Sequence, residues 1–271
     1  MQYIKVTFEI QDQMSADMLI AVLSEIGYEG FEELEHEVLA YIADSQFNAE
    51  ELVSAVAGMG LDYRTEVVAA QNWNAIWESN FQPVVVDDLC TIRAHFHDIE
   101  ISTPYEIVIT PKMSFGTGHH ATTQLVMLMM QDVDLKEKTV LDFGTGTGVL
   151  AILAEMLGAS AILAIDNDDW SVENAIENAE RNSSKKISIQ KGGVDEVEIG
   201  KSNVILANIN RHILLQYMGA LYTGLADGGT IIMSGLLAED EDIMLKAAAE
   251  EGFQFKELIE RNGWISIRFE K

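Results

Sequence analysis

Four segments of this 271-residue chain combine residue types that can do chemistry. The first is Val140-Leu-Asp-Phe-Gly-Thr-Gly-Thr-Gly148, in which Asp142 precedes glycines spaced G-x-G-x-G. Glycines at Gly144 and Gly146 permit a tight turn and let a ligand come close to the backbone. A dinucleotide loop spaces its glycines G-x-G-x-x-G and sets a pyrophosphate on the helix N-terminus. The spacing here, with an acid in front, suits a ligand without phosphate: an amino acid joined to a nucleoside, whose cationic end a carboxylate can engage. The second segment, Ala161-Ile-Leu-Ala-Ile-Asp166, ends an apolar run in an acid that can accept hydrogen bonds from both ribose hydroxyls. The third, Val204-Ile-Leu-Ala-Asn208, ends in a carboxamide at the strand edge where ligands bind in open α/β sheets. The fourth, Met113-Ser-Phe-Gly-Thr-Gly-His-His-Ala-Thr-Thr123, is a glycine-rich turn opening a helix at Thr122 or Thr123, with hydroxyls and amides to offer a ligand.

His119 and His120 are adjacent, so their side chains diverge, and no further His/Cys/Asp/Glu spacing supports them as ligands; no metal is expected. The single cysteine, Cys90, excludes an internal disulfide and reads as a small apolar residue. Charge excludes more. Lys and Arg number 17 against 44 Asp and Glu, a net charge of −27. Such a chain repels polyanions at long range, so nucleic acid is not an expected partner, whereas a basic protein would be attracted, with a salt-sensitive association. No apolar run is long enough to span a membrane and the first ten residues lack a signal pattern, so the expectation is a cytoplasmic monomer with no membrane contact.

The elements that must position these segments follow from periodicity. Residues 1–70 read β-α-β-β-α-β: a strand at 3–10, a helix over 14–26, strands near 28–34 and 37–43, a helix from the N-cap Asn48 to about 57, and a strand at 61–70. That order predicts a small ferredoxin-like α+β domain. Residues 71–111 hold all three prolines, Pro83, Pro104 and Pro111, and read as a connecting region with a short helix bearing Trp73 and Trp77 on one face, packed at a domain interface, and two or three strands. From 112 to 271 strands and helices alternate: strands at 138–143, 160–166, 186–191, 202–208 and 228–234, helices at 148–157, 169–182, 211–223 and 238–249. Two closing strands, 253–260 and 263–270, meet at the hairpin turn Asn262-Gly263. The alternation predicts a doubly wound α/β sheet. Its antiparallel C-terminal hairpin is similar to that of class I methyltransferases, which makes S-adenosylmethionine the expected cofactor.

Phe115-Gly-Thr-Gly-His-His-Ala-Thr-Thr123, Val140-Leu-Asp-Phe-Gly-Thr-Gly-Thr-Gly148 and Ala207-Asn-Ile209 together resemble the three signatures of the PrmA-type methyltransferases, which modify protein eleven of the large ribosomal subunit. The resemblance covers the catalytic region, and the small N-terminal module with its linker matches the family's architecture. It implies cofactor contacts at Thr123, Gly144, Asp166 and Asn208, beside Asp142 and Gly146 of the loop. It further implies N-methylation of lysine side chains and the N-terminal α-amine of a basic large-subunit ribosomal protein, recognised by residues 1–70, with a hinge in 71–111 letting one site reach several amines. The chain departs from the family where Thr-His-Pro-Thr-Thr becomes His119-His-Ala-Thr-Thr123 and Asn-Ile-Leu becomes Asn208-Ile-Asn210, leaving the roles of Asn210 and Arg211 open.

Methyl transfer from a sulfonium needs neither metal nor covalent enzyme intermediate; it needs a neutral amine aligned with the methyl group. Asn208 is the expected catalytic residue, orienting that amine through its carbonyl. Two rivals differ in kind. A class I enzyme acting on adenine or glutamine would carry Asn/Asp-Pro-Pro-Tyr/Phe where this chain has Asn208-Ile-Asn210. A non-catalytic ribosome-assembly protein would bind cofactor without methyl incorporation.

Overall fold

A computed structural model of the chain describes residues 3–10, 19, 20, 22, 23, 26–28, 30–34, 36–68, 81–112 and 114–271. Contacts divide it into two units, Met1–Asn80 and Phe81–Lys271. In the first, β1 (Tyr3–Glu9), β2 (Gly30–Glu33), β3 (Glu37–Ala43) and β4 (Tyr63–Val68) form an antiparallel sheet in the order β2-β3-β1-β4. Helix α1 (Ala49–Val56) starts where expected, because the Asn48 carbonyl oxygen of the side chain accepts from the amides of Glu50 and Glu51 at 3.0 and 3.3 Å. The alternation of β1 puts Ile4, Val6 and Phe8 on the inner face, where they pack with Leu19, Leu23, Val38 and Leu52. Most of the helix expected over 14–26, and both Trp73 and Trp77, lie outside the described residues.

Residues 81–111, expected as part of a connecting region, build structure of their own within the second unit. Strands β5 (Val84–Val86), β6 (Cys90–Ala94) and β7 (Tyr105–Ile109) form a three-stranded sheet whose apolar face (Val86, Ile92, Ile107, Ile109) shares one core with the helices and strands that follow. The physical reason is burial: a sheet this small is stable only with a hydrophobic face covered. Cys90 is fully buried there, and burial pushes its thiol up to about 12.

The doubly wound sheet with its antiparallel hairpin is present. Strands β8 (Thr139–Phe143), β9 (Ala161–Asp166), β10 (Ile187–Lys191), β11 (Ser202–Asn208), β12 (Leu225–Leu237), β13 (Gln254–Arg261) and β14 (Trp264–Glu270) stand in the order β10-β9-β8-β11-β12-β14-β13. The first five are parallel, and β14 is antiparallel to both its neighbours. Helices α2 (Ala121–Gln131), α3 (Val149–Met156), α4 (Asp169–Arg181), α5 (Arg211–Gly224) and α6 (Glu241–Glu251) cover the faces. The order reverses at β8, so the carboxyl ends of β8, β9 and β11 open onto one crevice. The turn joining β13 and β14 uses Asn262 and Gly263 at φ of 55° and 78°, the paired positive values of a hairpin that follows strand twist. Among the described residues no helix is long and apolar enough to cross a membrane.

Candidate active site

Strand β8 is central, buried on both faces, and ends at Phe143; the chain then turns through Gly144, Gly146 and Gly148, all at positive φ, before α3. Gly146 shows why the residue type is fixed. A Cβ there would lie 2.3 Å from the Phe115 carbonyl oxygen, and its φ of 54° is one that side chains resist. The loop is pinned from both sides. The Gly146 amide donates to Asp166 Oδ2 at 2.9 Å, and Thr147 donates through its amide to the Phe115 carbonyl at 2.9 Å and through its hydroxyl to the Gly116 carbonyl at 2.7 Å. The two glycine-rich segments singled out in the sequence therefore meet as one structure.

Asp142 lies beneath the loop, fully buried. Its Oδ2 accepts from the Thr145 hydroxyl at 2.6 Å, while Oδ1 finds no hydrogen-bond partner among the described residues. Burial pushes this carboxyl up to about 7, and the nearby Asp166 pushes the same way, against the Thr145 hydrogen bond. An orphaned buried acceptor costs about 1–3 kcal/mol. Positive charge placed nearby would repay that, so the loop fits a cationic ligand. Asp166, at the end of β9, accepts from the Gly146 amide through Oδ2 and from the Asp168 amide through Oδ1 at 3.1 Å. Each oxygen keeps a lone pair, as capture of two vicinal hydroxyls requires. Asp168 itself caps α4 by accepting from the Ser171 amide at 2.9 Å.

Asn208 ends β11 and is nearly buried; its Nδ2 donates to Thr123 Oγ1 at 3.3 Å, and its Oδ1 is a second buried acceptor without a partner among the described residues. Thr122 and Thr123 sit in the first turn of α2, which His120 caps by accepting from the Thr122 amide at 3.4 Å. The two histidines do diverge: His119 meets the Phe81 ring edge-on at 4.8 Å, His120 the Trp264 ring at 4.5 Å. Among the described residues no group of His, Cys, Asp or Glu could hold a metal.

A cavity of about 740 Å³ opens at the carboxyl ends of these strands. Gly144, Gly146, Asp166 and Asn208 line it. Thr123 lines a small adjoining recess together with Gly144 and Asn208, and Asp142 lies under the loop and lines neither space. Sequence reasoning missed Trp264, Tyr217, Asp195 and Glu196, which also line the cavity. A signal existed for Trp264: it is the first residue of β14, and a strand antiparallel to β12 begins at the edge where β12 and the other parallel strands end. Asn210, left open by the sequence, caps α5 by accepting from the Ile213 amide at 3.2 Å, and Arg211 forms an ion pair with buried Asp240.

Comparison with known proteins shows which proteins the chain is similar to. The family model described as ribosomal protein L11 methyltransferase (PrmA) matches residues 5–271. The ribosomal protein L11 methyltransferase of Porphyromonas gingivalis is 40% identical over 283 residues, covering 99% of this chain and 98% of the relative. That of Phocaeicola vulgatus is 39% identical over 278 residues, covering 99% of each. Among solved structures, ribosomal protein L11 methylase from Lactobacillus delbrueckii subsp. bulgaricus superposes with a TM-score of 0.66 at 33% identity, covering 70% of this chain and 98% of that one.

Proposed function

The chain belongs to the ribosomal protein L11 methyltransferase family, whose methyl donor is S-adenosylmethionine, and on that premise we propose that it N-methylates ribosomal protein L11 at lysine side chains and at the N-terminal α-amine. The observation that carries this reading is Asn208: a nearly buried carboxamide at the cavity whose Oδ1 has no partner among the described residues while its Nδ2 donates to Thr123. A hydrogen bond from an amine N–H to that oxygen would aim the nitrogen lone pair into the cavity.

Bound S-adenosylmethionine supplies an electrophilic methyl group. Gly144, Gly146, Asp166, Asn208 and Thr123 would hold it, with Asp142 balancing its positive charge from beneath the loop. The chain's remaining task is to present a neutral amine. A lysine ammonium has an unperturbed pKa of about 10.4 and must lose a proton first. Withdrawal from water among Phe115, Phe143, Ile209 and Trp264 favours the uncharged form. Holding the amine in place then supplies the orientation that the displacement demands.

The charge of −27 supports a basic acceptor protein and disfavours nucleic acid; this reading takes the enzyme to act as a monomer in the cytoplasm. Residues 1–70 are the substrate-recognition part of this reading, 71–111 its connecting region and 112–271 its catalytic part. The test is to incubate the enzyme with labelled S-adenosylmethionine and purified L11 and to map the product by mass spectrometry. Methyl groups on lysines and on the N-terminal amine are expected. Label confined to other residue types would overturn the amine assignment, and cofactor binding without label would favour an assembly factor.

A further inference from the structure

Helix α4 carries an amide ladder that the mechanism above does not use. Asn174, Asn178 and Asn182 recur every fourth residue and so share one helix face. That face is turned inward: Asn174 and Asn178 are fully buried. Asparagine is a poor helix former, and a buried amide is costly unless its hydrogen bonds are met. What these side chains meet is backbone, apart from Asn174 Oδ1, which has no partner among the described residues. Asn182 donates to the Val108 carbonyl at 2.7 Å and accepts from the Val108 amide at 2.9 Å. Asn178 accepts from the Thr110 amide at 2.7 Å, and Asn174 donates to the Thr110 carbonyl at 3.1 Å. Side-chain amides thus satisfy the edge of β7 and its continuation as a neighbouring strand would.

Asn178 breaks this pattern. Its Nδ2 turns from the strand and donates to the Thr147 carbonyl of the glycine loop at 2.8 Å. Thr147 is therefore held at three points: by Asn178 through its carbonyl, by Phe115 through its amide and by Gly116 through its hydroxyl. Asn178 thus links Thr110 to Thr147, and Thr147 in turn is tied to Phe115 and Gly116. Beside these bonds Gly146 passes the Phe115 carbonyl with too little room for a methyl group.

We infer that Asn178, acting through Thr147, is a positioning residue that fixes the spacing between the 115–116 turn and the glycine loop, and thereby sets affinity for S-adenosylmethionine. The inference rests on reading the cavity as the cofactor site. Asn182 supplies an internal control, since it belongs to the same ladder and bonds the same strand but makes no bond to the glycine loop.

The experiment compares Asn178→Ala and Asn182→Ala in the full-length protein, reading thermal midpoint, cofactor dissociation constant, and cofactor KM against kcat. Wild-type binding of S-adenosylmethionine is measured first; its absence would sink the cofactor reading itself and not this inference. Both variants are expected to melt earlier. Asn178→Ala should weaken cofactor binding about tenfold, equivalent to about 1.4 kcal/mol, raising cofactor KM more than it lowers kcat. Asn182→Ala should leave affinity within about twofold of wild type, inside the range of an uncoupled substitution. If Asn178→Ala does not fold, Thr147→Val removes only the hydroxyl bond to Gly116; it should raise cofactor KM, and Thr147→Ser should restore it. The inference is overturned if folded Asn178→Ala or Thr147→Val binds cofactor as wild type does, or if Asn182→Ala weakens binding as much as Asn178→Ala.

Discussion

The two walls of the cavity are built on opposite plans. The wall formed by 144–148 and 115–116 is a closed set of short hydrogen bonds in which Gly146, Thr147 and Asp166 all have partners. The wall formed by Asn208, Ile209, Asn210 and Trp264 is less closely tied at Asn208, whose side chain makes one bond, at 3.3 Å, and has an acceptor without a partner among the described residues. Phe115 at the cavity is 53% exposed. On the proposed reading the contrast follows from the ligands. One wall would serve a small cofactor of constant shape, for which preorganisation lowers the cost of binding. The other would admit protein amines in differing surroundings, with its polar groups left for the substrate to complete.

The strongest way to break this contrast is to spoil the tight wall. Gly146→Ala places a methyl group 2.3 Å from the Phe115 carbonyl at a φ of 54°. The expected loss is about 3 kcal/mol, in the range of the larger single-residue effects. That corresponds to a cofactor dissociation constant raised about a hundredfold, measurable by calorimetric titration; unchanged affinity would show that the loop yields. On the loose wall the effect should fall on turnover instead. Asn208→Ala is expected to lower kcat by roughly tenfold to a hundredfold, as loss of one well-placed polar group does, with a smaller change in cofactor affinity. If affinity and turnover both survive, Asn208 is not the orienting group.

The smallest effect sharpens the comparison by pH. With the Asp142 carboxyl at about 7, the free protein holds a proton there that the unfolded chain has released above about 4. The folded state binds more protons across that window, so this group's contribution favours folding at the acid end and declines as pH rises to about 7. Cofactor binding runs the other way, because a cation prefers the ionised carboxylate. Affinity should rise by up to about tenfold from pH 6 to pH 8, and Asp142→Asn should flatten that rise. A pH-independent dissociation constant in the wild type would remove Asp142 from cofactor recognition.

How legible all this was depends on range. Much of the catalytic sheet could be read because strands such as 161–165 and 204–207 are continuous apolar runs and because Asn262-Gly263 marks the closing hairpin. The glycine loop and Asp166 were legible because their spacing is itself the chemistry. At 84–109 two or three strands were expected inside a connecting region, but neither their limits nor their joining into one sheet was legible, since they gain stability from a core that other parts of the chain supply. Asn178 and Thr147 were invisible for the same reason: their partners lie 31 to 68 residues away. Asparagines at four-residue spacing on a helix signal only that something long-range must satisfy them.

Strand order also has a consequence for synthesis. β14 stands between β12 and β13, although β13 leaves the ribosome first. Until residues 264–270 emerge, β13 has no sheet to join and the edge of β12 is an open template for mispairing. Trp264 reaches the cavity in the same late event. A nascent chain of this enzyme would thus complete its sheet and its active site together, and a chain stalled just short of that point would expose a sticky edge without yet being able to act.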